Sequence, residues 1–325
     1  MATSQQLITL LKAHYDSDNE RVKTVALQIA AHEAKNGHSV LAQSIKDVVM
    51  KQNSKTTANR IIPIDNSLIS RSASTNRKSD LIVSDKLSKQ IENIILEFAQ
   101  RSKLNKNGYI NRRKILLEGL PGTGKTFTAT IFANELKLPL FLIQTDKLIS
   151  KYMGETGAKL RQIFDSISQE IGVYFFDEFD SIGSERASEN DVMEMHRVLN
   201  LFLQFIEQDK SDSVIIAATN SGNLLDQALF RRFDDVLRFN LPTEVELKKL
   251  FTLKLSKFIS KILVTSDVIN LALGLCHADI TKACENAIKQ AILTDKKQVS
   301  KDTLIAMLEE RKEVYQSKGL NNAAI

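Results

Sequence analysis

Cysteine is almost absent. The chain holds two in 325 residues, Cys276 and Cys284, eight positions apart. That spacing matches no metal or dithiol pattern, so a disulfide scaffold is excluded and two buried free thiols are expected. Long hydrophobic runs are missing too. Stretches such as Val214–Ala218 fall far short of the ~20 apolar residues that span a bilayer. Met1–Gln6 has neither the basic start nor the apolar core of a signal peptide, so a soluble, cytoplasmic protein with no membrane segment is the expectation. Charge of one sign is in small excess, 44 basic against 39 acidic residues, for a net +5. Between Lys51 and Asp80, six basic residues and two acids supply most of that excess. This tract is rich in Ser, Thr and Asn, whereas a nucleic-acid surface carries its charge on a folded face. A solvated linker is the reading, and nucleic acid is not an expected partner. Protease signatures are also lacking, with no Gly-x-Ser-x-Gly and no His-Glu-x-x-His.

Apolar residues at 43% and charged residues at 26% are ordinary for globular chains, and the length suggests two or three compact units. Residues 1–52 read as a small bundle of three helices. Leu7, Leu10 and Leu11 share one helical face, Val22, Val25, Ala26 and Ile29 a second, and Leu41, Ile45, Val48 and Val49 a third. Residues 53–80 form the basic linker, with Ile61–Ile64 as a candidate docked strand. From 81 to 241, apolar runs at Ile115–Glu118, Leu140–Gln144, Val173–Phe176, Val214–Ala218 and Val236–Phe239 alternate with helical stretches. That is the pattern of a parallel α/β sheet. Residues 242–325 carry no strand signal and read as a helical lid and tail.

After the first run stands Gly119-Leu120-Pro121-Gly122-Thr123-Gly124-Lys125-Thr126, the G-x-x-x-x-G-K-[ST] pattern. Glycines let successive N–H groups turn inward around phosphate oxygens, and the following helix adds its positive end. Lys125 offers a point charge to the terminal phosphates and Thr126 a hydroxyl to Mg²⁺. The third run, Val173–Phe176, ends in Asp177-Glu178, which places two carboxylates at the carboxyl edge of the sheet. Asp177 suits Mg²⁺ and its waters; Glu178 suits the proton of an attacking water. The bland alternative is a solvated acidic loop.

Gly119–Thr126 together with Tyr174–Asp180 resembles the AAA+ ATPases, and the resemblance covers about residues 80–315. It implies a P-loop sheet core with a helical lid, ATP and Mg²⁺ as cofactors, and a homo-oligomeric ring, expected to be a hexamer. Val214–Asn220 resembles the family's sensor strand, which gives Asn220 a role beside the attacking water. Leu225–Asp234 resembles the segment carrying the family's arginine fingers, with Arg231 and Arg232 adjacent where the usual form separates them by Pro-Gly. Gly274–Ile280 resembles a turn near the nucleotide, where Ala278 matches and Cys276 and His277 depart from the pattern. No arginine fills the second sensor slot, which favours the protein-remodelling branch.

Lys151-Tyr152-Met153-Gly154 resembles the family's pore loop. Tyr152 and Met153 offer broad apolar contact to any polypeptide, and Gly154 lets the loop move. Packing of Tyr152 at the start of the next helix is the plain alternative. The chain is also similar to single-module bacterial AAA ATPases, some of them paired with subtilisin-like serine proteases in phage-defence units. A protein substrate is thus expected, with a protease only as a separate partner. Two rival readings stay open: a nucleotide-controlled switch that threads nothing, and a nucleic-acid motor.

Overall fold

The computed structural model describes residue 9 and residues 19–38, 42–44, 68–72, 75–148, 155–179, 189–220, 230–258 and 263–316. The chain divides into residues 1–63 and 64–325. In the first unit, helix α1 (Asn19–Lys35) buries Val25, Ile29, Ala30 and Glu33 on one face. Beyond it Gly37 takes φ +85°, a left-handed conformation open to glycine. His38 Nδ1 closes the turn at 2.7 Å from Glu33 Oε2. The other two expected N-terminal helices lie almost wholly outside the described residues.

Six strands of the second unit form one sheet. They are β1 (Ile69–Ser72), β2 (Lys114–Gly119), β3 (Leu140–Ile143), β4 (Val173–Phe176), β5 (Val214–Thr219) and β6 (Asp235–Phe239). Their order is β1-β3-β4-β5-β2-β6, parallel except for the antiparallel edge strand β1. Alternate residues of a strand face opposite sides, and the sheet therefore serves two cores. Leu116, Tyr174, Phe176, Ile215 and Ala217 meet α6 (Glu155–Gln169) and α7 (Glu189–Gln208) through Leu160, Ile163, Phe164, Phe202 and Ile206. Ile115, Leu117, Phe175, Ile216 and Leu237 meet α2 (Asp85–Ala99) and α4 (Lys125–Leu136) through Ile91, Ile94, Phe98, Ala129 and Phe132. Helices on both faces leave the strand ends as the open edges; the short helix α3 (Arg101–Lys106) continues from α2, and α5 (Thr145–Leu148) follows the end of β3.

The expected linker ends earlier than residue 80. Ile69↔Ile143 through Ser72↔Leu140 pair along the sheet edge. Arg71 lies 6.0 Å from the Phe141 ring centroid. Asn76 Nδ2 donates to Thr130 Oγ1 at 2.9 Å, Asn134 Nδ2 donates to the Asn76 carbonyl at 3.0 Å, and Lys78 pairs with Glu92. Residues 68–72 and 75–80 are therefore part of the α/β unit. Ile-Ser-Arg-Ser has one apolar side chain, so its strand state comes from pairing with β3 and not from its own hydrophobic pattern. Ile61–Ile64 lies outside the described residues.

The chain leaves β6 through Pro242, and Thr243 caps α8 (Glu244–Leu255) in a reciprocal box with Glu246. Helices α9 (Ser266–Ala272), α10 (His277–Leu293) and α11 (Lys301–Gln316) complete an all-helical lid. Its core includes Leu247, Phe251, Ile269, Ile280, Cys284 and Leu304. Both cysteines are buried and free, and burial pushes their thiols up, to about 11 for Cys276 and about 12 for Cys284. No helix among the described residues is long and apolar enough to cross a membrane.

Candidate functional site: a phosphate cradle under a helical lid

The carboxyl ends of β2, β5, β4 and β3 are neighbours, and each delivers a polar residue to the same edge. From β2 the chain turns through Gly119–Gly124 into α4. Gly122 and Gly124 take φ +74° and +109°, values that turn backbone N–H groups inward at little cost only for glycine. Lys125 is buried, and its ammonium donates to the carbonyls of Gly119 (2.6 Å) and Leu120 (2.9 Å) and to Asn220 Oδ1 (2.8 Å). A phosphate would therefore enter by exchange for these acceptors. The expected sensor residue thus touches the cradle lysine directly.

At the end of β4, Asp177 Oδ2 accepts from Thr126 Oγ1 at 2.8 Å, and Asp177 Oδ1 accepts from the Glu178 N–H at 2.9 Å. Thr145 Oγ1, beyond β3, donates to the Asp177 carbonyl at 3.0 Å. Glu178 is exposed with φ +49°. A left-handed non-glycine residue costs on the order of 1 kcal/mol or more and tends to mark a functional turn. Thr126 and Asp177 are the pair that could hold Mg²⁺. Among the described residues no group of three His, Cys, Asp or Glu is placed to hold a metal ion. Two oxygen ligands suit an ion whose other positions are filled by phosphate and water.

These groups form one end of a cavity of about 510 Å³, a size suited to a nucleotide. The other end is lined by Asp80, Leu81 and Ile82 before α2, by Leu250 and Lys254 of α8, and by His277, Ala278, Thr281, Lys282 and Glu285 of α10. The lid grips the loop directly: the Ala278 N–H donates to the Gly122 carbonyl at 3.0 Å. A Cβ on Gly122 would stand 2.5 Å from Cys276 Sγ and 3.1 Å from the Ala278 methyl. Gly122→Ala should therefore weaken nucleotide binding by about tenfold or more, from strain and displaced lid contacts. Adding Cys276→Ala should recover part of that loss. Titration with a fluorescent nucleotide checks both, and an unchanged affinity in Gly122→Ala would contradict the contact.

Apart from Ala278, this other end of the cavity was not legible in the sequence. Asp80–Ile82, Lys254, Thr281 and Lys282 carry no motif and meet only through the fold. Among the described residues neither ring nitrogen of His277 reaches good hydrogen-bond geometry. Burial lowers its pKa, opposed by Glu246 and the Ile82 backbone. Its departure from the small residue of the resembled turn was the one available signal.

Arg231 and Arg232 occupy a turn just before β6. Phe230 and Phe233 flank them and pack into the α6–α7 side of the core. Arg231 is exposed, with no partner among the described residues, while Arg232 Nε lies 2.8 Å from Glu207 Oε1 on α7. The turn sits at the amino end of β6, which runs parallel to β2. It is therefore at the opposite edge from the cradle, with the length of β2 between them, about 17 Å at ~3.3 Å per residue. Lys151, Tyr152, Met153 and Gly154 lie outside the described residues, as do residues 181–188.

A glycine-turned loop carrying a buried lysine, a carboxylate beside its threonine, and a parallel sheet flanked by helices define a P-loop nucleoside triphosphatase. Residues 115–241 match the family described as "ATPase family associated with various cellular activities (AAA)". An uncharacterized AAA family ATPase of Sinorhizobium fredii is 33% identical over 90% of this chain and 91% of its own length. The chain belongs to the AAA family of ATPases, and its reaction is ATP hydrolysis. A protein described as a 26S proteasome regulatory subunit homolog, from Methanothermobacter thermautotrophicus, is 33% identical over 62% of this chain and 55% of its own. The ATP-dependent zinc metalloprotease FtsH 2 of a Thermoanaerobacter species is 29% identical over 66% of this chain and 44% of its own. The chain thus spans about half the length of these last two.

Proposed function

We propose that this chain assembles into a ring, a hexamer, in which ATP is cleaved at the seam between neighbouring copies and the energy remodels protein substrates. The observation that carries this reading is the placement of Arg231. It is exposed and at the wrong edge of the sheet to reach its own cradle, so a second copy is the partner it can serve. Within one site, the N–H groups of Gly119–Thr126 and the Lys125 ammonium bind the terminal phosphates. Pro121, Gly122 and Thr123 shape that turn, and Ala278 closes over it. Thr126 and Asp177 hold Mg²⁺, which offsets phosphate charge when bound. Glu178 takes the proton of the attacking water, and Asn220, already on Lys125, orients that water against the γ-phosphate. The neighbour's Arg231 meets the charge that develops in the transition state.

Protein substrates are favoured by the names of the relatives and by Tyr152-Met153-Gly154, a sequence-tolerant grip at a ring's centre. The chain carries neither protease motif, so any proteolysis would belong to a separate partner, for which a subtilisin-like enzyme of a phage-defence unit is the proposed class. Glu178→Gln tests the reading. It should bind ATP normally, lower turnover by about 10²–10⁴-fold, and retain protein substrate for identification by mass spectrometry. Tyr152→Ala should keep ATPase activity and lose ATP-dependent substrate processing. Unchanged processing in Tyr152→Ala would favour the switch reading, and parental turnover in Glu178→Gln would remove the role of that carboxylate.

A further inference from the structure

Two adjacent arginines on a turn are ordinarily mobile, because each side chain has four rotatable bonds and water satisfies its charge. Here the described residues after and around the turn fasten it at several points. Phe230 and Phe233 bracket the arginines, Phe233 buried in the core and Phe230 half-buried against it, and Arg231 between them is exposed. Arg232 is tied to Glu207. Asp234, two residues beyond Arg232, is bound to β2: its Oδ2 accepts from the N–H groups of Arg113 and Lys114, both at 2.9 Å, and its own N–H donates to the Lys114 carbonyl at 2.7 Å. Arg113 in turn has a buried guanidinium paired with Asp209 at the end of α7, and Arg112 joins Glu97 to Asp235. None of these residues lines the nucleotide cavity of the same copy.

β2 therefore has two loaded ends. Its carboxyl end opens into the cradle at Gly119, and its amino end carries the hydrogen bonds that hold the arginine turn. We propose that Asp234 is a positioning residue for Arg231. By locking the turn to the first residues of β2, it sets the arginine at the height needed to meet the phosphate of the adjoining copy, and it makes the strand under one cradle the mount for the arginine lent to the next. This rests on the seam reading above. A carboxylate accepting two backbone N–H groups is a stiff joint, because neither donor has side-chain freedom. Asn at this position keeps size and one acceptor but loses the charge that strengthens both bonds.

Mixed oligomers test the proposal in a way that a loss of folding would not mimic. Full-length Glu178→Gln is the arginine donor, with its own site disabled, and Arg231→Ala is the acceptor, with an intact site. Each alone should turn over ATP slowly. A 1:1 mixture, combined before ATP is added, should recover up to about one quarter of the parental rate, the share of seams that pair an intact site with an intact arginine under random assembly. Placing Asp234→Asn in the donor should cut that recovery by about tenfold or more, while placing it in the acceptor should leave it within about twofold, because the acceptor's arginine turn is already without its arginine. Sedimentation of each mixture should show the same oligomer. Equal loss in both arms, or no loss in the donor arm, overturns the role of Asp234 and leaves the seam reading standing. If the simple mixture recovers nothing, the seam reading falls, and the role of Asp234 with it.

Discussion

Arg231→Ala should lower the ATP turnover number by about 10³-fold or more while the KM for ATP changes little. A guanidinium meeting the γ-phosphate in the transition state is worth about 10³–10⁵ in rate, and 10³ corresponds to roughly 4 kcal/mol of transition-state stabilisation. The affinity should survive because the cradle of the same copy lies a full strand length away and none of its hydrogen bonds involve Arg231. Arg232→Ala should cost much less. Its contact with Glu207 is half-exposed, and pairs of that kind are worth at most about 1 kcal/mol, so its loss reaches the rate only through a looser turn. Steady-state kinetics on both variants, with oligomer size checked by sedimentation, separates the two arginines. A larger loss in Arg232→Ala would reverse their assignment.

The second large effect concerns stability. Arg113 and Asp209 are both buried, at 8% exposure for the arginine and 4% for the aspartate side chain. Arg113 Nη2 also donates to the Asp209 carbonyl at 2.7 Å, and Asp209 Oδ1 accepts from the Ser211 N–H at 3.2 Å. Removing the arginine alone strands a buried carboxylate, and such losses run to about 3–5 kcal/mol. Arg113→Met should therefore lower the melting temperature by roughly 10 °C for a unit of this size. Replacing the pair together, Arg113→Met with Asp209→Leu, should recover most of that loss, since two apolar groups of similar volume remove the charge and its partner at once. Thermal unfolding followed by circular dichroism reads both. If the double variant is as unstable as the single one, packing and not uncompensated charge is the reason the pair matters.

What could be read before the fold was known follows a physical rule. The cradle and the strand ending in Asp177-Glu178 are legible because their chemistry needs residues close in sequence: consecutive N–H groups around one phosphate, and two carboxylates at the end of one short apolar strand. The four inner strands β2 to β5 were legible for a similar reason, since burial on both faces makes each one a largely apolar run, and β6, at the far edge, showed Leu237 and Phe239 alternating with the exposed Arg238. The edge strand β1 was not, because Ile69-Ser70-Arg71-Ser72 takes its conformation from β3. The lid helices carrying Leu247, Ile280 and Leu304 showed their periodicity, but the seven-residue α9 was too short to declare itself. The ion pairs and side-chain-to-backbone bonds at the amino edge were hidden, since Arg112, Arg113 and Asp234 find partners 15 to 123 residues away along the chain. For the same reason the two arginines of the turn looked equivalent in sequence, and only Glu207, 25 positions before Arg232, distinguishes them.

The central claim is that each working site is shared by two copies of the chain, and the rate of ATP hydrolysis per copy as a function of protein concentration tests it most directly. Dilution through the range where sedimentation shows the oligomer coming apart should bring the rate per copy down in step with assembly, toward the slow level of Arg231→Ala. A rate per copy that stays constant while the protein becomes monomeric would contradict the account, because a single copy would then hold every group the reaction needs.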